Sequence, residues 1–504
     1  MPTDVLVVGA GPTGLVLALW LTRQGVKVRI VDEASGPGQQ SRALAVQART
    51  LELYRQADLT DAVIAGGWKT AAVNLWVAGA PKARIAFADF GVGLTPYPFL
   101  HIFPQDAHER LLVERLSGLG VEVGWNTELA AFLETADGVS ARLRTSGGHE
   151  AACEARFICG CDGARSAVRA GIGATFPGGT YRQTFYVADV EAAGPPANGE
   201  LHVGLDESDF LAIFPIDGAG RVRLIGAIRD SRADDAGDPR FEDVSRRAID
   251  HLEVEVRQVN WFSTYRVHHR VADRFRKGRA FLLGDAAHIH SPVGGQGMNT
   301  GIGDAINLAW KLAAVLRGKA PERLLDSYEI ERQAFARRLV ATTDRVFTFA
   351  AAQGPVADFL RTRLAPLVIP QAARLDAVRD FLFRTVSQIT LNYRDGPLAA
   401  GRAGAVHGGD RLPWAGGEHD NFAPLATIGW QVHAYGGSPG PLRDWCAARG
   451  MPLHAFAFGK AHADAGLVEG AAYLLRPDTY VALASPSGAT DELDRFLAER
   501  GLLP

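Results

Sequence analysis

The sequence predicts an α/β fold: a Rossmann-like nucleotide-binding domain carrying an inserted antiparallel sheet, then a helical segment and a further α/β domain. Three observations predict it. Residues 4–33 run as strand, glycine-rich turn, helix and strand. A second strand, glycine loop and helix follow at residues 279–312. Between them, residues 200–226 alternate polar and apolar side chains, the period of a half-buried strand. Two nucleotide-type signals in one chain suggest a large cofactor gripped at both ends.

The first signal begins with the apolar, β-branched run 4–8, which leads at once into Gly9, Gly11, Pro12, Thr13 and Gly14. Gly9 permits the tight turn, Gly11 lets backbone approach a pyrophosphate, and Gly14 lets the helix pack close to the strand. Residues 15–24 read as that helix, and Gly25 stops it. The strand 26–31 ends at Asp32 and Glu33. Asp32 stands near the distance from the glycines expected of an acid that binds a ribose hydroxyl.

The middle of the chain adds three stretches: Ser41 to Glu52 after the second strand, Phe103-Pro104-Gln105 opening a helix, and a strand that ends at Asp162-Gly163 before another helix. In the second signal, the strand 281–283 stops at Gly284-Asp285. The loop with Gly294, Gly295 and Gly297 then leads into a helix from about Met298. Such a helix start offers an anion or a polarised carbonyl a row of free backbone N–H groups.

Composition narrows the class. The chain has 504 residues, enough for two or three domains, and 47% hydrophobic with 22% charged residues is ordinary for a globular protein. A net charge of −3, with scattered arginines, argues against a nucleic-acid partner. No uncharged apolar run approaches the ~18 residues of a membrane span, and the N-terminus does not read as a signal peptide. Four cysteines make no disulfide framework. Cys159 and Cys161 share one strand face and read as buried small hydrophobes, so a reducing, cytoplasmic setting is expected. His288 and His290 have no accompanying carboxylate or cysteine set, and no metal is expected.

The combination of GxGxxG, Asp162-Gly163 and Gly284-Asp285 resembles the single-component, FAD-dependent aromatic hydroxylases typified by para-hydroxybenzoate hydroxylase. The likeness is greatest to the branch acting on phenols and aromatic polyketides. The resemblance is strong to about residue 345 and weaker beyond. It implies FAD as cofactor, NAD(P)H and dioxygen as co-substrates, an aromatic small-molecule substrate, and oxygen transfer through a C4a-hydroperoxyflavin. It implies that Gly9, Gly11, Pro12, Thr13 and Gly14 receive the pyrophosphate and Asp32 the adenosine ribose. Arg42 and Gln105 would contact the cofactor, Asp285 would hold the ribityl chain, and Asp162 would serve both nucleotides. Gly297, Met298 and Asn299 would bring backbone N–H groups to the flavin ring, with the Pro292 carbonyl near C4a. Glu33, where many relatives carry arginine, leaves the adenine-side contacts open. Tyr265 joins Pro292 as a catalytic candidate. Phe103, His202, Phe214 and Trp261 are candidates for the substrate pocket.

The expected domains are a discontinuous FAD-binding domain (1–72, 98–177 and 268–345), a substrate domain (73–97 and 178–267), a helical segment (346–395) and a thioredoxin-like domain (396–504). Apolar spacing at Phe359, Leu360, Leu364 and Leu367 supports the helical segment. Residues 396–413, rich in Gly, Arg and Pro, read as a linker. Cys446 stands without a CxxC partner, so a dithiol role for the tail is excluded. A Baeyer–Villiger or epoxidising oxygenase, and a non-catalytic flavin-binding protein, are the alternative readings. Monomer and homodimer both stay open.

Overall fold

The computed structural model describes residues 3–39, 43–87, 90–205, 210–218, 220–228, 240–244, 246–291, 293–351, 371, 375–417, 420–437 and 440–504. Phe359, Leu360, Leu364 and Leu367 lie outside the described residues.

The nucleotide domain is built on a parallel core. The strand Thr3–Val8 sits between Glu150–Gly160 and Val28–Val31, with Ala280–Leu282 and Val123–Gly124 beyond them. All five run parallel, so both faces need cover. Helix Pro12–Arg23 buries eight consecutive residues from Gly14 to Leu21 and packs beside helix Gly297–Leu316. It stops where Gly25 adopts φ +69°.

Both insertions contribute to one eight-stranded sheet. Its order is His288–Ile289, Glu255–Val271, Gly178–Ala193, Arg221–Ile228, Phe210–Pro215, Leu201–Leu205, Ala72–Val77 and Ala80–Ala86. Every neighbouring pair is antiparallel except Leu201–Leu205 with Ala72–Val77. Two ties to the nucleotide domain stand out among the described residues. Arg270 and Val271 pair with Ile289 and His288, directly after Gly284-Asp285. Elsewhere Trp68 lies under Gly199 and Gly218, where an added Cβ would come within 2.9 and 2.5 Å of its ring. Trp68 Nε1 donates to Gly199 O at 2.8 Å.

In the tail, Gln431–Tyr435, helix Gly440–Ala448 and Leu453–Phe456 form a parallel βαβ unit. The antiparallel pair Ala472–Leu475 and Val481–Ser485 and helix Thr490–Arg500 complete it. This is a thioredoxin-like arrangement. Residues 396–413 are not simply a linker: Ala400–Ala403 and Val406–His407 form a hairpin across Gly404 (φ +65°), and Ala400–Ala403 runs parallel to Val481–Ser485. The strands are so short that turn residues dominate their composition. All four cysteines are free, and burial pushes the Cys446 thiol up to about 11.

The turn between the last two strands, Arg476 to Thr479, drives charge into the protein interior. Arg476, fully buried, donates to both oxygens of Glu331 at 2.7 and 3.0 Å and to both oxygens of Asp478. Lys311 Nζ and Asn307 Nδ2 each reach Glu331 Oε2 at 2.8 Å. Arg49 donates to Asp478 O at 3.0 Å and to Thr479 Oγ1 at 2.8 Å, and with Arg411 it neutralises buried Glu52. Burial raises the Glu331 carboxyl, but Arg476 and Lys311 outweigh it and hold it at about 2.

Arg476→Ala leaves two carboxylates buried without their partner and should lower unfolding free energy by about 3–5 kcal/mol in denaturant titration. Glu331 also predicts an acid limit. Its folded value lies below its unfolded value, so its contribution is complete above about pH 4.5 and is lost as pH falls toward about 2. Thermal unfolding followed across that window should show a smaller acid loss in Glu331→Gln than in the unsubstituted protein.

Candidate active site

The glycines of the first turn differ in what surrounds them. A Cβ on Gly9 (φ +101°) would meet the Cys161 carbonyl oxygen at 2.3 Å, and one on Gly14 would meet Gly9 O at 1.9 Å. Neither position has room for a side chain. Around Gly11 a Cβ would meet nothing within 4 Å. Bare backbone therefore faces open space at the N-terminus of helix Pro12–Arg23, which is a cradle for a phosphate group. Asp32 is fixed beside it: Oδ2 accepts from Ala10 N at 2.6 Å, and Oδ1 from Ala34 N at 2.8 Å. Glu33 is exposed.

Thr13 joins the two signals. A Cβ on Gly284 would come within 2.7 Å of Thr13 Oγ1, and one on Gly301 within 2.2 Å. The first turn, the Gly284-Asp285 loop and helix Gly297–Leu316 are thus stacked at close backbone range. Asp285 is exposed at the end of its strand. Asp162 accepts from Val168 N at 3.1 Å through Oδ2, while its buried Oδ1 has no partner. Burial raises its carboxyl above the ordinary value. Gln105 donates to Glu109 Oε1 at 2.8 Å, and Glu109 Oε2 accepts from Gly38 N at 2.8 Å, so the loop after Asp32 is tied to helix Gln105–Ser117.

The glycine loop is held from several sides. Gly294 and Gly295 adopt φ +77° and +62°. Gly295 packs so close to Ala45 that Cβ atoms would be 2.8 Å apart. Asn299 was expected to offer its backbone, but its side chain does as much. It accepts from Gln47 N and Thr50 Oγ1 at 2.9 and 2.8 Å and donates to Ala45 O and Gly295 O at 2.9 Å. Thr300 N is bonded to Gln296 O. The N–H groups of Gly297, Met298 and Asn299 precede that first helical bond and point out of the helix end. Gln388, in the left-handed region at φ +62°, donates to Gln296 Oε1 at 2.6 Å and Thr300 Oγ1 at 3.1 Å. His290 Nδ1 donates to Ser291 O at 2.8 Å, and burial lowers this histidine to about 4. Arg42 and Pro292 lie outside the described residues.

Beneath the loop, fully buried Asp304 is a hub. Its oxygens accept from Gly284 N at 3.0 Å, His288 Nε2 at 2.7 Å and Arg332 Nε at 2.6 Å. Burial would raise its carboxyl, but Arg332 and His288 prevail and it lies below the ordinary range. Sequence reasoning did not single out Asp304, Arg332, Gln47 or Gln388. One signal was present: Asp304 and Lys311 are the charges of an otherwise uncharged helix and stand seven residues apart, on one face. Arg332 and Glu331 answer them. For Gln47 and Gln388 the sequence carries no signal.

The pocket candidates separate. Phe214, Trp261 and Tyr265 are half-buried and share one face of the large sheet, which Phe185 also faces. His202 is a correction: it lies on the opposite face, where Nδ1 accepts from Trp76 Nε1 at 3.0 Å and Nε2 bonds Asn198 Oδ1 at 2.9 Å. Phe103 is a second correction. It is buried in the nucleotide-domain core between His101 and His108, away from that sheet face. A water-sized cavity of about 20 Å³ lies elsewhere, behind Asn299 among Arg49, Arg332, Tyr393 and Asp478. Among the described residues there is no group of His, Cys, Asp and Glu fit to hold a metal, and no helix long and apolar enough to cross a membrane.

An open glycine turn beside a fixed carboxylate at one end, and a helix start under a glycine loop at the other, are the marks of a dinucleotide-binding flavoprotein. The open backbone at Gly11 and the unpartnered Asp162 Oδ1 fit FAD. Residues 2–343 match the model of the FAD binding domain family, and the chain belongs to that family as an FAD-dependent monooxygenase. Over 81% of this chain and 73% of the relative, it is 38% identical to 6-methylpretetramide 4-monooxygenase of Streptomyces rimosus. It is 30% identical to pentachlorophenol 4-monooxygenase of Sphingobium chlorophenolicum over 81% of this chain and 75% of that one. The solved structure of the anhydrotetracycline hydroxylase OxyS from Streptomyces rimosus covers 100% of this chain with 99% of its own, at a TM-score of 0.79 and 28% identity.

Asp304→Ala leaves Arg332 buried beside the loop without its carboxylate. It should cost about 3–5 kcal/mol in stability and release flavin at lower temperature. Flavin fluorescence during thermal unfolding reads both. Retention of flavin to the unsubstituted melting point would show that the hub does not hold the loop.

Proposed function

We propose that this chain takes electrons from NADH or NADPH and one oxygen atom from dioxygen to hydroxylate an aromatic small molecule, phenolic or polyketide-like. The single observation that carries the reading is the half-open apolar sheet face, with Phe214, Trp261 and Tyr265, attached by its edge strand to the Gly284-Asp285 loop. The names of the relatives, a pretetramide and a chlorophenol monooxygenase, support a substrate of that kind.

When bound, FAD supplies the redox and oxygen-activating chemistry, and the protein supplies place and field. Gly9, Gly11, Pro12, Thr13 and Gly14 take the pyrophosphate. Asp32, pre-oriented by two backbone N–H groups, takes the adenosine ribose. By the family resemblance Arg42 and Gln105 would contact the cofactor, Asp285 would hold the ribityl chain, and Asp162 would serve the shared nucleotide position. The N–H groups of Gly297, Met298 and Asn299 face the ring edge that gains negative charge on reduction, a charge the helix start favours. By the same resemblance Pro292 is assigned to the reacting side, and Tyr265 is the sheet's polar candidate for orienting the substrate hydroxyl. The sheet keeps bulk water from the reacting atoms. The reading divides the chain into the nucleotide, substrate, helical and tail domains expected from sequence.

Anaerobic reduction of the flavoprotein by NADPH should speed up about tenfold or more with a fitting phenol or polycyclic aromatic, and the aerobic product should gain one oxygen atom. If flavin-loaded protein responds to no aromatic, the reading fails. Asp285→Ala should weaken FAD binding by at least about tenfold, about 1.4 kcal/mol, in equilibrium dialysis.

A further inference from the structure

The large sheet has two unlike faces. One carries Tyr186, Leu211, Ile213 and Leu224 and is packed under helix Arg246–His251. The other carries Phe214, Ile225, Trp261 and Tyr265, all half-buried. In this second, apolar face stands an ion pair. The register sets Asp189 opposite both Arg223 and Trp261, and Arg223 opposite Phe214, so four residues on four strands make one row.

Arg223 is committed on one edge only. Its Nε donates to Asp189 Oδ1 at 2.5 Å and its Nη2 to Asp189 Oδ2 at 2.7 Å. The side chain is 2% exposed, against 21% for Asp189, and the Trp261 ring lies 5.5 Å from the guanidinium carbon. Nη1 is buried and has no hydrogen-bond partner. A buried donor left unmade is costly, more so when charged, so an apolar wall is a poor place to leave one without use. The row adjoins the turn at Gly218, which rests on Trp68. Trp68 pairs with Ile102, and Ile102 with Ala45, the residue packed on Gly295. A relay of contacts through Trp68, Ile102 and Ala45 thus links this end of the sheet to the glycine loop.

We propose that Arg223 determines substrate specificity: its Nη1 edge receives an anionic oxygen carried by the aromatic substrate, a phenolate, enolate or carboxylate, with Trp261 and Phe214 beside the ring. Asp189 is a positioning residue that fixes the fork. The inference rests on the hydroxylase reading and names the substrate class for it. A charge-assisted bond to the free edge rewards the acidic substrate, and a neutral analogue leaves the donor buried and unpaired.

The test compares a phenol, the matching benzoate and their methyl ether and ester, with kcat and KM from NADPH-dependent product formation. Three proteins are compared: unsubstituted, Arg223→Met, and the double variant Arg223→Met/Asp189→Leu, which removes the pair without stranding a charge. The unsubstituted protein should prefer one acidic form over its methylated partner by about tenfold or more in kcat/KM, and whichever form wins identifies the oxygen. In both variants the preference should collapse through KM, with flavin content unchanged. A folded, flavin-loaded double variant that keeps the preference overturns the inference, as does an unsubstituted enzyme that turns over aromatics without preference. Flavin-loaded protein that turns over no aromatic overturns both this inference and the hydroxylase reading.

Discussion

The Asp304 carboxylate is the interaction on which the site depends. A lone charge in a dry core is costly, so Asp304 requires partners, and those it has are the parts that must meet: Gly284 at the end of a core strand, His288 at the edge of the large sheet, and Arg332 on the following helix. Its electrostatic demand fixes the angle between strand, loop and helix more firmly than apolar packing alone. Arg332 passes the constraint on, donating to Thr300 O and Tyr393 Oη. The glycine loop above is thus soft in sequence and rigid in place.

What could be read from the sequence follows from how local each requirement is. Gly9 and Gly14 were legible because a tight turn and a close helix act on the residue itself, and the structure has no room for a Cβ at either. The helix from Gly297 was legible from its apolar run. Alternation in residues 200–226 disclosed strands with two faces, yet nothing local says which face a helix covers. His202, assigned to the open face, is a satisfied core histidine on the other. Phe103 failed for a related reason: an aromatic beside a motif is as readily core as pocket. Gln47, Gln388 and Arg223 owe their importance to partners far away in sequence, and Arg223 became visible only once Asp189 and Trp261 were seen beside it.

The large sheet is a clamped plate rather than a free lid. One clamp is the backbone ladder at His288–Ile289, and the other is the Trp68 ring under two glycines. With the sheet held at both of these places, the space over its unclad face depends on the side chains there. On the proposed reading, substrate range can shift by replacement on that face without disturbing the glycine turn, which is built from backbone.

The buried turn Arg476 to Thr479 has a consequence for how the chain is made. Arg49, Glu52, Lys311 and Glu331 precede Arg411, Arg476 and Asp478 in the chain and are therefore synthesised before them. Until then the pairs Arg49–Glu52 and Lys311–Glu331 stand without Arg411 and Arg476, and their carboxylates are only partly neutralised. The core around them is therefore less firmly set before the tail docks than after it. The tail thus acts as a late staple: the interior charge network of the cofactor domain is complete only once residues 411–478 are in place.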